Sequence, residues 1–234
     1  MSLKTLLLSP VLLPQALWVS ARATRLPEPE GPRRGKLGKG PRLRLLIVGD
    51  SSAAGVGTAH QREALAGPLE RELAQAFAVE WRLSARSGAT TASTLESLQG
   101  LPRQDCDAVF ISLGVNDAKN GVSLAKWRRN YSEILDLLKA EFGARWMFLS
   151  GLPPVRHFPL LPWPLNDVLG DRAALFDVVL REIEADRDDT IFIPLDVPLD
   201  PAGMADDGFH PGPAIYAEWA QGVAKVMLQS LDKP

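Results

Sequence analysis

Three histidines are the whole imidazole supply of this chain: His60, His157 and His210. Only His210 has a carboxylate three residues earlier with a glycine between, in the segment Asp207-Gly208-Phe209-His210. A carboxylate so placed can hold the ring through Nδ1 and leave Nε2 to take a proton near neutral pH. The partner such an imidazole serves is a hydroxyl, a poor nucleophile until a base removes its proton. Ser51 is the candidate. It stands in Leu43–Gly57, LRLLIVGDSSAAGVG, where an apolar run stops at Gly49 and gives way to small polar residues. Negative charge developing on an attacked carbonyl oxygen needs fixed donors, which the Ser51 and Gly88 N–H groups and the Asn116 side-chain amide could supply.

Each of these residues also has a purely structural use. Ser51 or Ser52 could cap a helix. Gly88 could be a turn residue at positive φ, Asn116 and Asp117 could be turn or capping residues, and Asp207 could begin an Asp-Gly turn. Asp196 and Asp200 are alternative carboxylates for the imidazole. Asp50 reads as structural, being too close to Ser51 in the chain to orient a histidine held by another loop. His60 and His157 read as surface or packing residues.

Groups so far apart in the chain meet only if a scaffold gathers them. Apolar runs at Leu43–Val48, Val79–Ser84, Ala108–Leu113, Arg145–Ser150 and Ile191–Leu195 read as five strands. Between them, His60–Ala78 repeats Leu65, Leu69, Leu73 and Phe77 at four-residue spacing, as one face of a helix does. A Thr- and Ser-rich stretch after Ala89 can cap a helix through Leu98. Leu124, Trp127, Tyr131, Ile134, Leu135 and Leu138 mark another helix, followed by Val168–Ile183 and Ala214–Leu231. This alternation predicts an α/β fold with a five-stranded parallel sheet, covered on both faces and joined by right-handed crossovers. Such sheets bind ligands just past the carboxyl ends of their strands. Ser51 follows the first strand, Gly88 the second, Asn116 the third and His210 the fifth, so four loops converge on one crevice.

With 234 residues, 46% hydrophobic and 23% charged, the chain can bury one substantial core. Residues 43–234 read as that domain and residues 1–42 as a leader. The single Cys106 excludes an intramolecular disulfide and reads as a buried thiol; with three scattered histidines it makes no recognisable zinc site. Residues 1–44 carry nine Lys or Arg against two Glu, a balance of +7, whereas the remainder is −9. An acidic domain is repelled by phosphates, which argues against nucleic acid; anionic lipid suits the basic leader better. Thr5–Val19 is apolar but only 15 residues long and contains Pro10 and Pro14. That falls short of the roughly 20 residues a spanning helix needs. It reads as a membrane-surface anchor on the cytoplasmic side with Trp18 at the interface, the rival being a cleaved signal peptide and a periplasmic or secreted domain. Residues 26–42, rich in Pro, Gly and charge, read as a linker.

In order and spacing, Gly49-Asp50-Ser51, then Gly88, then Gly114-Val115-Asn116-Asp117, then Asp207-Gly208-Phe209-His210-Pro211 resemble the conserved blocks of the SGNH (GDSL-type) ester hydrolases. The resemblance spans about residues 43–230. It implies a flavodoxin-like three-layer α/β/α sandwich, with Ser51 as nucleophile and oxyanion donor and Gly88 and Asn116 as the other donors. Asp207 and His210 would complete the triad, with neither metal nor organic cofactor. Two departures bear on substrate rather than on reacting atoms. Ala85-Arg86-Ser87 stands where many relatives have Asn shortly before the second-block glycine, and Ser52 replaces the Leu of the eponymous motif.

Other motif families fail on their residues. The α/β-hydrolase elbow needs Gly-x-Ser-x-Gly, and Ala53 occupies its last position. Gly55-Val56-Gly57 lacks the third glycine of a dinucleotide fingerprint, His60 standing there instead. For the substrate, Leu152–Leu165 (LPPVRHFPLLPWPL) leaves the fourth strand on the catalytic edge with more apolar side chains than a short connection buries. Phe158, Leu160, Leu161 and Trp163 are expected to wall an acyl chain; the alternative is a loop that packs on the domain or meets the leader. Together with the apolar leader, this points to lipid-like acyl esters, lysophospholipids or thioesters cleaved through an acyl-enzyme. A carbohydrate O-acetyl esterase and a catalytically silent lipid- or glycan-binding protein of the same fold are the alternatives.

Overall fold

The structure is a computed structural model that describes residues 3–196 and 201–231. Six strands form one sheet: β1 (Arg34–Leu37), β2 (Arg42–Gly49), β3 (Ala78–Ala85), β4 (Ala108–Ser112), β5 (Trp146–Ser150) and β6 (Thr190–Ile193). Their order is β1-β3-β2-β4-β5-β6, all parallel except β1, which runs antiparallel to β3. The helices, in chain order, are α1 (Leu3–Arg22), α2 (Ser51–Ala54), α3 (Ala66–Leu73), α4 (Thr91–Gln99), α5 (Val115–Lys119), α6 (Leu124–Phe142), α7 (Leu165–Ala185) and α8 (Pro213–Leu231).

The expected α/β/α sandwich is present, and the central strand shows why. Leu45 and Ile47 of β2 enter one layer, Leu46 and Val48 the other, and all four are buried. A strand covered on both faces needs such an unbroken apolar run. Leu69 and Leu73 of α3 with Tyr216 and Trp219 of α8 fill the first layer. On the opposite face, α6 contributes Trp127, Tyr131, Ile134, Leu135 and Leu138 at three- and four-residue spacing, and the Trp127 ring stacks on Phe176 of α7 at 4.4 Å. The lone thiol, Cys106, is buried at the edge of this layer, which pushes it up to about 12 and leaves it inert.

Three expectations are corrected. The helix expected over His60–Ala78 occupies only Ala66–Leu73, because the chain before it is pinned elsewhere. The Gln61 N–H donates to the Glu30 carbonyl at 2.8 Å, and the Gln61 side chain donates to the Ala54 carbonyl at 2.9 Å. The sheet has six strands rather than five. Residues 34–37, expected within a linker, are the sixth, pairing Arg34–Leu37 with Val79–Arg82. An edge strand needs only backbone donors and acceptors on one side, so charge and glycine do not exclude it. The same segment is braced from below: Glu28 pairs with Arg33 at 2.7 Å and accepts the Ser87 N–H at 2.7 Å, while Arg33 also donates to the Ala85 carbonyl.

The leader is helical as α1 despite Pro10 and Pro14, each of which removes a backbone donor. Tertiary contact supports it. Leu8, Leu12 and Val19 pack on the α6–α7 layer, and the Gln15 amide donates to the Trp163 carbonyl at 2.7 Å. Among the described residues, no helix is long and apolar enough to cross a membrane.

Candidate active site

β2 ends at Gly49, where the backbone passes so close to its neighbours that a Cβ would meet Ala53 Cβ at 2.4 Å and the Ser112 carbonyl at 2.5 Å. Only glycine fits this approach. Asp50 then caps α2, its Oδ1 accepting the Ser52 N–H at 3.0 Å, so Ser51 opens a short helix at the strand's carboxyl end. After β3, the chain makes a turn closed by Ala89 N–H to the Arg86 carbonyl at 3.1 Å, with Gly88 at φ +77°. That backbone region favours glycine, and nothing crowds the position where a Cβ would stand. After β4, Gly114 leads into α5 and buries Asn116, whose Nδ2 donates to the Ala89 carbonyl at 3.0 Å.

The fourth loop brings the imidazole. The His210 Nδ1–H donates to Asp207 Oδ2 at 2.6 Å, and Nε2 accepts from Ser51 Oγ at 2.8 Å. Asp207 Oδ1 accepts the backbone N–H groups of Phe209 at 3.0 Å and His210 at 2.9 Å, locking the carboxylate to its own turn. Burial alone would raise the Asp207 carboxyl, but the His210 ring and these two N–H groups outweigh it and hold it below the usual range. A carboxylate, an imidazole and a hydroxyl therefore stand in one hydrogen-bonded line. Such a line can take the hydroxyl proton and return it to a leaving group.

Asp50 has the opposite electrostatic character. It is 4% exposed, and burial, with Asp117 repulsion adding to it, pushes its carboxyl up to about 6 against the offsetting Ser52 N–H, His210 and Lys119. Because the folded state binds this proton more tightly than the unfolded chain, the Asp50 contribution to stability falls as pH rises from 3.8 to about 6. Asp50→Asn keeps the cap acceptor and forfeits only the long 3.5 Å contact from Asn116. Its melting temperature is therefore expected to exceed that of the native chain at pH 8 by several degrees, about 2 kcal/mol, with the gap closing near pH 4. Thermal melts at the two pH values check this, and a gap of the same size at both would refute the account.

The sequence-derived candidates divide cleanly. Ser51, Gly88, Asn116, Asp207 and His210 come together at the strand ends. Asp196 is exposed, and Asp200 lies outside the described residues. His60 is bridged to Glu30, and His157 is exposed in the loop after β5. Of the expected acyl wall, Phe158 is buried edge-on against Phe209 at 4.8 Å and lines a small apolar pocket beside Asp50 and Ser52, and Leu161 lines a larger cavity nearby. Leu160 is half-buried beside Gly208 and lines neither space. Trp163 is 73% exposed and is removed from the wall; only its carbonyl is used, by Gln15.

One functional connection was not legible beforehand. Asp117 accepts both the N–H and the hydroxyl of Thr91, at 2.9 and 2.7 Å, tying the Asn116 loop to the start of α4 just past Gly88. Its burial raises the carboxyl against those bonds. The Gly114-Val115-Asn116-Asp117 spacing marks a turn, but which backbone it would brace depends on α4 lying beside α5.

A serine hydroxyl bonded to an imidazole that a carboxylate holds, at the carboxyl rim of a mainly parallel sheet, has the chemistry of a hydrolase of ester bonds. Residues 47–218 match the GDSL-like Lipase/Acylhydrolase family, and the chain belongs to it. Among solved structures, TesA is similar with a TM-score of 0.63 at 25% identity, covering 79% of this chain and 97% of that one. The psychrotrophic esterase EstA from Pseudoalteromonas sp. shares the fold with a TM-score of 0.63 at 21% identity, covering 81% of this chain and 99% of that one. A Clostridium thermocellum family 3 carbohydrate esterase does so with a TM-score of 0.64 at 19% identity, over 82% and 100% of the two chains. No curated protein matches the chain significantly in sequence.

Proposed function

We propose that this ester hydrolase cleaves esters of apolar acyl groups, such as lipid-like esters, lysophospholipids or thioesters, through an acyl-enzyme on Ser51. The observation that carries the mechanism is the unbroken line from Asp207 through His210 to Ser51, with contacts of 2.6 and 2.8 Å. Ser51 Oγ attacks the acyl carbonyl as its proton passes to His210 Nε2. The oxygen left with negative charge is met by the Ser51 and Gly88 N–H groups and by the Asn116 amide, whose second hydrogen faces Asp50 at a long 3.5 Å. The imidazolium, held by ionised Asp207, returns the proton to the departing alcohol or thiol. Water then attacks the acyl carbon, giving its proton to His210, and Ser51 regains a proton as the free acid leaves.

Apolar acyl groups are favoured by the lining between the Leu152–Leu165 loop and the catalytic rim, where Leu152, Phe158 and Leu161 are buried. Exposed Leu7, Leu13, Leu17 and Trp18 on α1 favour meeting such esters at a lipid surface, and Arg22 and Arg25, directly after the apolar run, favour its cytoplasmic side. A second reading, deacetylation of sugars, is favoured by a polar crevice of about 670 Å³ beside the Gly88 turn, lined by Glu28, Arg86, Ser93 and Thr94. A series of p-nitrophenyl esters decides between them. Each methylene buried in an apolar site is worth about 0.8 kcal/mol, so the apolar reading expects octanoate to exceed acetate in kcat/KM by about tenfold or more. Acetate preferred over octanoate would overturn it in favour of the sugar reading. Pelleting of the protein with phosphatidylglycerol vesicles is expected in the same experiment; protein left wholly in the supernatant removes the lipid-surface part.

A further inference from the structure

We propose that α1 is the outer wall of the acyl-binding cavity, so that the leader itself sets the acyl-chain length the enzyme accepts. This rests on the apolar-ester reading given above and names the element that imposes it. Ala16, Val19 and Ser20 lie on one face of α1 and close a cavity of about 280 Å³ against Val155, Leu161 and Leu165. Two of the residues lining the cavity are chain neighbours of site residues. Val115, directly before Asn116, and Phe209, directly before His210, both line it. The same two side chains line a smaller apolar pocket that reaches Asp50 and Ser52, so apolar surface runs from the nucleophile's loop to α1.

The occupant follows from the lining. Its polar members are confined to Ser20, Lys119 and Asn120, too few to satisfy the hydroxyls of a sugar, whereas an acyl chain needs none. At about 30 Å³ for each water-sized group, 280 Å³ takes roughly nine methylenes, a medium-length acyl chain. α1 is held in place for the task. Leu8 and Leu12 pack on the core, and Gln15 bonds the Trp163 carbonyl, tying the helix to the loop that makes the opposite wall. α1 also lies outside residues 47–218, the part that matches the family.

The test uses the full chain and kcat/KM for p-nitrophenyl acetate, butyrate, octanoate and decanoate. Val19→Trp and Ala16→Trp fill the cavity and are expected to lower the octanoate-to-acetate ratio about tenfold or more and to shift the optimum to shorter chains. Val19→Ala enlarges the cavity and is expected to shift the optimum to longer chains. Ala21→Trp places the same bulk on the side of α1 turned away from the cavity, where Ala21 is exposed, and is expected to keep the native ratio. Should a tryptophan variant fail to fold, Ala16→Leu and Val19→Ala still move the ratio in opposite directions. Unchanged ratios in the folded cavity variants, or equal shifts in all variants including Ala21→Trp, would overturn the proposal. Fluorophosphonate labelling separates the two readings. Label on Ser51 with unmoved ratios sinks the role of α1 alone, and absence of label sinks the hydrolase reading beneath it.

Discussion

Replacing Ser51 with alanine is expected to lower kcat/KM for an activated ester by roughly a thousandfold or more and to abolish covalent capture by a fluorophosphonate. The size follows from what the change removes. Without Oγ there is nothing for His210 Nε2 to activate, and the acyl-enzyme has no atom on which to form. What survives is binding and the amide donors, enough for residual acceleration over water. Loss of folding does not explain the expected result, because α2 is capped by Asp50 rather than Ser51. Among the described residues, the only hydrogen bond at stake on Oγ is the 2.8 Å contact to the imidazole. The melting temperature of Ser51→Ala is therefore expected to stay near that of the native chain. The neighbouring hydroxyl offers a sharp contrast: Ser52 lies one residue away, but His210 reaches Ser51. Peptide mapping of the labelled protein is expected to place the adduct on Ser51. An adduct on Ser52, or an undiminished esterase rate in Ser51→Ala, would overturn the assignment.

How much of this was legible in the sequence depends on whether a residue's partner could be inferred from its neighbours in the chain. The buried strands were, because Leu45–Val48 and Ala108–Ile111 must be apolar on every position to sit between two helical layers. The nucleophile and the base were, because a small polar break after a buried strand and an Asp three residues before a histidine are local patterns with a chemical reason. The β1 edge strand was hidden, since Arg-Gly-Lys-Leu shows no alternation; its place is set by the backbone of β3. Trp163 was misplaced for the converse reason. An aromatic ring in an apolar loop reads as wall or core, yet here the ring faces solvent and the peptide carbonyl beside it makes the useful contact. Asp117 and Glu28 belong to the same class of hidden residue. Each braces the Gly88 turn through backbone or side-chain groups distant in the chain, by way of Thr91 and Ser87 respectively. Polar braces of this kind have no periodicity, so only the assembled sheet reveals what they hold.

The second large effect is expected from Asp207→Asn, with kcat lowered by roughly a thousandfold and KM little changed. Asparagine can keep what Asp207 does for the turn, because its carbonyl oxygen accepts the Phe209 and His210 N–H groups as Oδ1 does now. It cannot keep what Asp207 does for the ring. The Asp207 carboxylate accepts Nδ1–H at 2.6 Å and so fixes the tautomer in which Nε2 is free to take the Ser51 proton. An amide NH₂ facing Nδ1 favours the opposite tautomer, with the proton on Nε2 and no base toward Ser51. The imidazolium formed during attack would also lose its counter-charge. The stability consequence has its own sign. Because the folded state holds the Asp207 carboxyl below its unfolded value of 3.8, its ionised form contributes stability above that pH, and the contribution is lost as pH falls through the folded value. Asp207→Asn should therefore cost stability at pH 7 and progressively less in acid, opposite to the trend expected at Asp50. Steady-state kinetics beside thermal melts at neutral and acidic pH test both halves. Asp196→Asn is the discriminating partner, since an exposed carboxylate that does not touch the ring should leave kcat within about twofold. A thousandfold loss in Asp196→Asn with a mild effect in Asp207→Asn would move the acid of this relay to Asp196 and require the loop before His210 to close differently in the working enzyme.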